Sequence, residues 1–245
     1  MIRRLIPSKI KQEIRSLACK LLHIPYNKFG LPVELINWLP ANRSITFVDI
    51  GASDGHLCER LIKQYKIHRG VFVEALPNRI LELKSKFSAP QYDIVEIAVA
   101  DKAGITDFQV YEGFDYVSSL LHLNSDFQAR SDINLGQKII MKVKTDTLDH
   151  IASSLEIGSI DFLKIDVQGA EHLVLLGATE TLRRVSIIYI EVSFQKVYGG
   201  SSTLYEIHEI LFDNNFRMVD IRQGYRDLRS EVLQADALFV NNGIL

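Results

Sequence analysis

The chain has 245 residues, of which 47% are hydrophobic and 24% are charged, so it is long enough to bury a core as one domain. Its 28 basic and 30 acidic side chains give a formal charge of −2, which provides no overall positive field and disfavours nucleic acid as a partner. The two cysteines form no C-x-x-C pair, and no apolar run reaches membrane-spanning length. We therefore expect a cytoplasmic protein without a disulfide framework or a thiolate zinc site.

Residues 1–22 carry many arginines and lysines and a single acid, Glu13, while apolar residues recur at helical spacing. This pattern predicts a basic amphipathic helix. Such a helix can lie peripherally on an anionic membrane surface, or it can pack on the domain as a lid or a dimer contact. Prolines and a glycine interrupt residues 23–43, so we expect residues 1–43 to form a helical extension with a connector and residues 44–245 to form the main domain.

From Ser44 onward, apolar β-branched runs alternate with amphipathic stretches, a pattern typical of a parallel sheet with helices on both faces. Strands are predicted at residues 45–50, 71–75, 94–98, 162–167 and 187–192. A helix is predicted to begin at Pro77, and a T-x-x-E capping box at Thr203 and Glu206 predicts the start of another. The chain is therefore expected to form a doubly wound α/β domain.

Two regions depart from this alternation. Residues 101–145 contain a turn signal followed by alternating apolar positions, which predicts additional strands rather than a crossover helix. Residues 216–221 and 237–240 are predicted to be two strands with a short polar connection between them. Such a short connection favours an antiparallel final pair.

Residues 47–55 (FVDIGASDG) run from the first predicted strand through a glycine-bearing turn into a helix. Glycine lets the backbone approach a ligand closely, and the first turn of a helix presents free N–H groups. The segment lacks the dinucleotide pattern G-x-G-x-x-G because Ser53 occupies the middle glycine position, which disfavours a nicotinamide oxidoreductase. Asp49, just before the turn, could contact an amino group of a ligand or bond to its own loop.

Glu74 ends the second predicted strand, about one βα unit after the glycine turn. In a doubly wound sheet both strand ends open into the same crevice, where a carboxylate can accept hydrogen bonds from the two hydroxyls of a ribose. The sequence therefore predicts a nucleotide-type ligand at this edge of the sheet.

Residues 160–171 (IDFLKIDVQGAE) place Lys164 and Asp166 on one face of an otherwise apolar strand. An unpaired charge in the interior costs several kcal/mol, so each side chain needs a partner. They could form a structural network with Asp49 and Glu191, or they could lie where ligand and reacting group meet at the carboxyl end of the sheet. We favour the second alternative.

With these segments assembled, the chain resembles the FkbM-type methyltransferases, a branch of the S-adenosylmethionine-dependent class. The resemblance rests on residues 48–55, Glu74 with Pro77 and Asn78, and residues 98–100, 118–120, 147–149 and 161–171. It implies a Rossmann-like, doubly wound sheet of seven strands, mostly parallel, with the last strand antiparallel. Gln168 stands where such proteins usually have Glu, which puts in doubt any role that needs a negative charge there.

The resemblance implies S-adenosylmethionine as the cofactor. It implies that residues 51–55 hold its amino-acid end, that Glu74 binds its ribose hydroxyls, that Ala98 and Val99 flank its adenine, and that Asp166 lies beside its methyl group. The cofactor-binding residues predicted in this way are Asp49, Gly51, Ala52, Ser53, Asp54, Gly55, Glu74, Ala98, Val99, Ser119 and Asp166.

Methyl transfer is a direct displacement that needs an aligned acceptor and, for a neutral alcohol, a base within hydrogen-bond reach. The predicted catalytic residues are Asp166 and Glu191, followed by His122. The two carboxylates rank above His122 because they are predicted to lie at strand ends in the crevice. Asp166 and Glu191 could instead hold a divalent cation, but two ligands do not establish a site, and no metal is predicted.

The resemblance also implies a small-molecule or glycan acceptor, with O-methylation of a sugar, a glycolipid or a secondary metabolite as the leading hypothesis. Residues 111–137 and 198–200 are the expected walls of the acceptor pocket. Two alternatives stay open. The enzyme could methylate a protein or a lipid, or the chain could be a non-catalytic nucleotide-binding protein of the same fold.

Overall fold

The computed structural model of the chain describes residues 35–39, 42–111, 117–130 and 137–244. The predicted helix at residues 1–22 lies outside them. The elements are α1 (Leu35–Trp38), β1 (Ser44–Ile50), α2 (His56–Gln64), β2 (Lys66–Glu74), α3 (Pro77–Lys86), β3 (Tyr92–Glu96), β4 (Ala98–Val99), β5 (Gly104–Tyr111), α4 (Ser125–Arg130), β6 (Lys138–Asp146), α5 (Leu148–Ser154), β7 (Ile160–Ile165), α6 (Glu171–Leu176), a short 3-10 helix (Leu182–Arg184), β8 (Val185–Ser193), α7 (Leu204–Asp213), β9 (Phe216–Gln223) and β10 (Gln234–Asn241). None of the helices in these ranges is both long and apolar enough to cross a bilayer.

Seven strands form one sheet in the order β3-β2-β1-β7-β8-β10-β9. The first five pair in parallel, whereas β10 runs antiparallel to both of its neighbours. The predicted mostly parallel sheet with an antiparallel last strand is therefore confirmed. The strand order reverses between β1 and β7, and their carboxyl ends border the crevice where open α/β sheets bind ligands.

Three further strands form a second sheet in the order β4-β6-β5. β5 and β6 confirm the additional strands predicted for residues 101–145. The single strand predicted at residues 94–98 is wrong in one respect, because β3 ends at Glu96 and Ala98 pairs with Thr145 in the second sheet. The N–H of Ile97 donates to the carbonyl of Glu74 at 2.9 Å, and the chain leaves the first sheet there.

The central strands are apolar on both faces because helices cover the sheet from both sides. Every residue from Ile45 to Ile50 is buried. Val48 and Ile50 pack into the cluster on one face, and Phe47 packs into the cluster on the other. Asp49 interrupts this apolar pattern and lies opposite Lys164 of β7 in the strand register.

The short helix α1 belongs to the packed domain. Leu35 and Leu39 are fully buried in the cluster that contains Phe47. Part of the predicted connector therefore packs into the core, and the boundary at residue 44 stays a prediction. Two helix starts match the sequence, since Pro77 opens α3 and Thr203 forms a capping box with Glu206 at α7.

Candidate active site

Two cavities adjoin at the carboxyl ends of β1 and β7, and both are lined by Gly51, Ser53 and Asp166. The first cavity, of about 320 Å³, lies between the β1 turn, the end of β2 and strand β4. The second cavity, of about 480 Å³, extends towards β8 and β10. Asp166 therefore lies at the boundary between the two.

Contacts inside the protein explain both glycines of the β1 turn. Gly51 has φ +72°, and a Cβ there would lie 1.9 Å from the carbonyl oxygen of Asp166. Gly55 has φ +75°, and a Cβ there would lie 2.5 Å from the ring of Phe87. The sequence reasoning assigned both glycines to close approach of a ligand, but only Gly51 lines either of the two cavities.

Hydrogen bonds within the protein already fix the shape of the turn. The N–H groups of Gly51 and Ala52 donate to the carbonyl of Val73 at 3.0 and 3.2 Å. The Asp54 carboxylate accepts the N–H of His56, the first residue of α2, at 3.0 Å. Ala52 and Asp54 line the second cavity, away from β4.

Glu74 is a structural anchor as well as a candidate ligand. Its Oε1 accepts the N–H groups of Ala75 and Leu76 at 2.7 and 2.9 Å, and its Oε2 accepts the N–H of Ser53 at 2.8 Å. A carboxylate offers about four acceptor positions, so these contacts leave one position on Oε2 for a ligand hydroxyl. Burial raises the pKa of Glu74, and the three N–H groups offset part of that rise.

The wall of the first cavity opposite Glu74 is apolar. Ala98 and Val99 of β4 are buried and line it, together with Leu76 and Phe108. A cavity that combines an apolar wall with the Glu74 carboxylate suits a nucleoside, because the flat base is apolar on its faces and the ribose carries hydroxyls. These residues therefore fit the adenosine part of the cofactor that the sequence resemblance implies.

Ser119, a predicted cofactor-binding residue, is held by hydrogen bonds within the protein. It is fully buried, its hydroxyl donates to the carbonyl of Gln168 at 2.7 Å, and it accepts the N–H of Leu121 at 3.0 Å. It lines neither cavity, whereas its neighbours Ser118 and Leu120 line the first. Its contact with a cofactor stays a prediction, while its observed bonds hold this segment against the turn after β7.

Lys164 connects the buried core to the site. Its Nζ lies 3.2 Å from Asp49 Oδ1 and 3.5 Å from Asp166 Oδ2, and it donates to the carbonyl of Gly51 at 3.2 Å. Burial alone lowers the pKa of Lys164, but the two carboxylates together outweigh this and hold the pKa above its usual value. Asp49 also accepts a hydrogen bond from Cys58 Sγ at 3.1 Å. Lys164, Asp49 and Asp166 therefore form the structural network posed as the first alternative, and the second alternative, that ligand and reacting group meet there, stays a prediction.

Several carboxyl groups surround Asp166. Burial, together with the charges of Asp166 and Glu171, raises the pKa of Glu191 well above its usual value. Burial is also the largest cause that raises the pKa of Glu171 to about 7. Glu191 also lines the second cavity, where its ionised form could accept a proton from a bound molecule.

The third predicted catalytic residue, His122, lies outside this cluster. Its side chain is exposed and lines neither cavity, and its carbonyl accepts the N–H of Gly199 at 2.7 Å. The structure thus brings Asp166 and Glu191 together and leaves His122 apart. No group of three or more His, Cys, Asp or Glu in the described ranges is arranged to hold a metal ion.

Sequence reasoning missed several residues of the second cavity. Tyr189 lines it two positions before Glu191 on β8, and Asp236 of β10 pairs with Glu191 in the strand register. Alternation along β8 could have identified Tyr189, since residues two apart share a face. The contribution of Asp236 depends on the pairing of β8 with β10, which sequence spacing alone does not specify.

Comparisons with known proteins agree with this geometry. A family model described as the methyltransferase FkbM domain matches residues 49–218. A relative from Sinorhizobium fredii, the 2-O-methyltransferase NoeI, is 28% identical over 171 residues, which cover 67% of this chain and 70% of that protein.

Two solved structures share the fold. The methyltransferase FkbM from Methylobacillus flagellatus matches 97% of this chain with a TM-score of 0.54 and 15% identity, and the chain spans 56% of its length. A putative S-adenosylmethionine-dependent methyltransferase from Listeria monocytogenes matches 85% of this chain and 96% of its own, with a TM-score of 0.51 and 10% identity.

Proposed function

Because the chain belongs to the FkbM methyltransferase family, we propose that it transfers a methyl group from S-adenosylmethionine to a hydroxyl of a sugar, a glycolipid or a secondary metabolite. The observation that carries this proposal is the position of Asp166 at the boundary of two adjoining cavities, one with an apolar wall and the Glu74 carboxylate and one lined by several carboxyl groups that include Glu191. The relative named as a 2-O-methyltransferase supports oxygen as the atom methylated.

The first cavity would hold the cofactor. Oε2 of Glu74 would accept a ribose hydroxyl, Ala98 and Val99 would flank the adenine, and Gly51 and Ser53 would border the amino-acid end. When bound, S-adenosylmethionine supplies a methyl group on a sulfonium, and its sulfur leaves as a neutral thioether without acid catalysis. The protein therefore has to exclude water, align the acceptor and remove one proton.

The second cavity would hold the acceptor. Its wall at β8, β9 and β10 offers the Tyr189 hydroxyl, the Arg222 guanidinium and the carboxyl groups of Glu191 and Asp236, which suit an acceptor with several hydroxyls. Glu191 would take the proton, because it lines this cavity and its ionised carboxylate can accept one. Asp166 lines both cavities and would face the reacting atoms from the cofactor side.

The test is methyl transfer from methyl-labelled S-adenosylmethionine by the full chain to a panel of glycosides, with peptides and lipids as competing acceptor classes. Glu191→Gln should lower the turnover of a labelled glycoside by roughly 100-fold or more, as expected for loss of a general base. The control is Glu209→Gln, an exposed site on α7, which should leave turnover unchanged.

The outcomes separate the remaining alternatives. Label in a peptide or a lipid alone would contradict the proposed acceptor class. Tight binding of the cofactor with no transfer to any acceptor class would favour a non-catalytic protein of the same fold.

A further inference from the structure

Gln168 lies in the turn between β7 and α6 and is held there by its backbone. Its φ is +55°, a conformation that is uncommon for a residue other than glycine. Its carbonyl accepts the hydroxyl of Ser119 at 2.7 Å, and the residue lines the first cavity. The turn thus directs this side chain towards the cluster of carboxyl groups.

The side-chain amide of Gln168 contacts three partners. Its Nε2 donates to Asp166 Oδ1 at 2.8 Å and to Glu191 Oε2 at 3.3 Å, and its Oε1 accepts the hydroxyl of Tyr198 at 3.0 Å. A reversed amide would turn its oxygen towards two carboxylates and leave the Tyr198 hydroxyl without this acceptor. The partners therefore determine the orientation of the amide.

Tyr198 is itself fixed. Its side chain is only 1% exposed, and its ring packs closely against Gly169. Gly169 has φ +96°, and a Cβ on it would lie 2.6 Å from the Tyr198 ring. Burial raises the pKa of Tyr198 well above its usual value, so its hydroxyl stays protonated and can donate at neutral pH. Tyr198 thus holds the Gln168 oxygen in one position.

The amide joins two carboxyl groups without adding charge. The charged and titratable groups that interact with Glu191, Tyr198 or Asp236 are Lys164 and Asp166 at the end of β7, Tyr111 on β5, Glu171 on α6, Tyr189 and Glu191 on β8, Arg222 on β9 and Asp236 on β10. Carboxyl groups outnumber cations in this set. A glutamate at position 168 would bring one more carboxylate to within hydrogen-bond distance of Asp166.

We propose that Gln168 is a positioning residue, whose amide joins the carboxyl groups of Asp166 and Glu191 at the boundary of the two cavities and is oriented by Tyr198. Gln168 Nε2 is the donor that bridges the two carboxyl groups, whereas Gln234 Nε2 donates to Glu191 Oε2 alone, at 2.7 Å. The consequence for methyl transfer rests on the proposed function, whereas the joined pair of carboxyl groups is a property of the protein alone.

The test is a pH titration of the side-chain carboxyl carbons by NMR on protein labelled in Asp and Glu, with Asp166→Asn and Glu191→Gln used to assign the two signals. In Gln168→Gly, which suits the positive φ, the Asp166 signal should titrate about one pH unit or more higher, because Asp166 loses a donor to its charged form, and the Glu191 signal should shift by less, because Glu191 keeps the bond from Gln234 at 2.7 Å. Gln168→Glu should raise the titration midpoints at least as far, since it adds a like charge. Tyr198→Phe removes only a hydroxyl and should raise them by less.

Gln64→Ala is the matched control, because Gln64 also bonds to a tyrosine hydroxyl, that of Tyr65, but lies at the end of α2. It should leave both signals unchanged. The inference would be overturned if the titration midpoints of Asp166 and Glu191, in both Tyr198→Phe and Gln168→Gly, lay within about 0.2 pH units of the wild-type values. If Gln168→Gly fails to fold, Tyr198→Phe decides alone.

The titration also separates this inference from the proposed function. Shifted carboxyl signals in a protein that does not bind S-adenosylhomocysteine would support the joined pair and contradict the proposed function. Unshifted carboxyl signals in the variants of a protein that binds S-adenosylhomocysteine tightly would overturn the inference and leave the proposed function standing.

Discussion

Lys164 is the residue on which the buried charge of the site depends. Asp49 is only 1% exposed, and Lys164 is the cation that lies within 3.2 Å of its carboxylate. Removal of one partner of a buried pair leaves an uncompensated charge, which costs far more than the loss of an exposed pair. The same lysine also holds Asp166, so the stability of the core and the arrangement of the site are coupled.

We predict that Lys164→Met lowers the free energy of unfolding by about 3–5 kcal/mol, because Asp49 remains buried without its cation. The matched control is Arg183→Ala, which breaks the exposed ion pair with Glu180 and should cost less than about 1 kcal/mol. Urea unfolding of both variants provides the comparison. Equal losses would show that the Asp49–Lys164 pair is no more important than an exposed one.

Glu171 should make stability depend on pH. Its Oε1 accepts the N–H groups of Val167 and Gly169, and its pKa is raised from 4.5 to about 7 in the folded protein. A folded-state pKa above the unfolded value favours the neutral form in the fold, so this contribution to stability is complete below about pH 4.5 and declines as the pH rises towards 7.

Glu171→Gln keeps an acceptor for the two N–H groups. We therefore predict that its free energy of unfolding, relative to that of the wild type, rises by about 1–3 kcal/mol as the pH increases from 4.5 to 7.5. Denaturant unfolding at the two pH values measures the change. A constant difference between the two proteins would mean that Glu171 is ionised in the fold throughout this range.

Sequence analysis identified much of the site at the residue level but could not assign each contact. Asp49, Glu74 and Lys164 were found because charged residues at the ends of apolar strands are conspicuous in the sequence. The fixed orientation of Gln168 could not be predicted, because Tyr198 lies 30 residues further along the chain. Ser119 was implied by the family resemblance and its contact with a cofactor stays a prediction, whereas Ser118 lines the first cavity. The irregular segment has no period that shows which side chain faces inward.

Among the elements, the turn between β1 and α2 bears the strictest steric requirement. Gly51 and Gly200 both have positive φ, +72° and +85°, but a Cβ at Gly51 would strike the Asp166 carbonyl, whereas a Cβ at Gly200 would meet nothing within 4 Å. Alanine substitutions at the two positions therefore distinguish the free-energy cost of a left-handed backbone from the cost of a steric clash.

We predict that Gly200→Ala costs about 1–2 kcal/mol, the penalty for a left-handed residue with a Cβ. Gly51→Ala should cost several kcal/mol more and should disrupt both cavities, because the turn after β1 must move away from the turn after β7. Thermal unfolding of the two variants makes the comparison. Similar losses would show that the backbone at Gly51 can relax at little cost.

Prediction from sequence succeeded for elements with local signals. Apolar β-branched runs gave β1, β2, β7 and β8, and the short connection before β10 gave its antiparallel direction. The second sheet was predicted only as additional strands, because β4 has two residues and pairs with the far end of β6, over 40 residues away. Local sequence specifies alternation but not which distant strand completes a ladder.

At the scale of the whole molecule, the two sheets and the two cavities form one arrangement. The second sheet supplies the apolar wall that faces Glu74, while the antiparallel end of the first sheet supplies the polar wall near Glu191. A single turn after β7 therefore lies between the cavity proposed for the nucleoside and the cavity proposed for the acceptor. This separation is what a direct transfer between two bound molecules requires.

The most direct test of this account is calorimetric titration of the full chain with S-adenosylhomocysteine, with Glu74→Gln and Glu96→Gln compared with the wild type. Glu96 pairs with Glu74 in the strand register, is exposed and does not line the first cavity. Glu96→Gln is therefore the matched control. We predict binding that Glu74→Gln weakens by roughly 10-fold or more, as expected for loss of a hydrogen bond to a charged group, and that Glu96→Gln leaves unchanged. Absence of binding by the wild type, or equal affinity in all three proteins, would contradict the assignment of the first cavity to the cofactor.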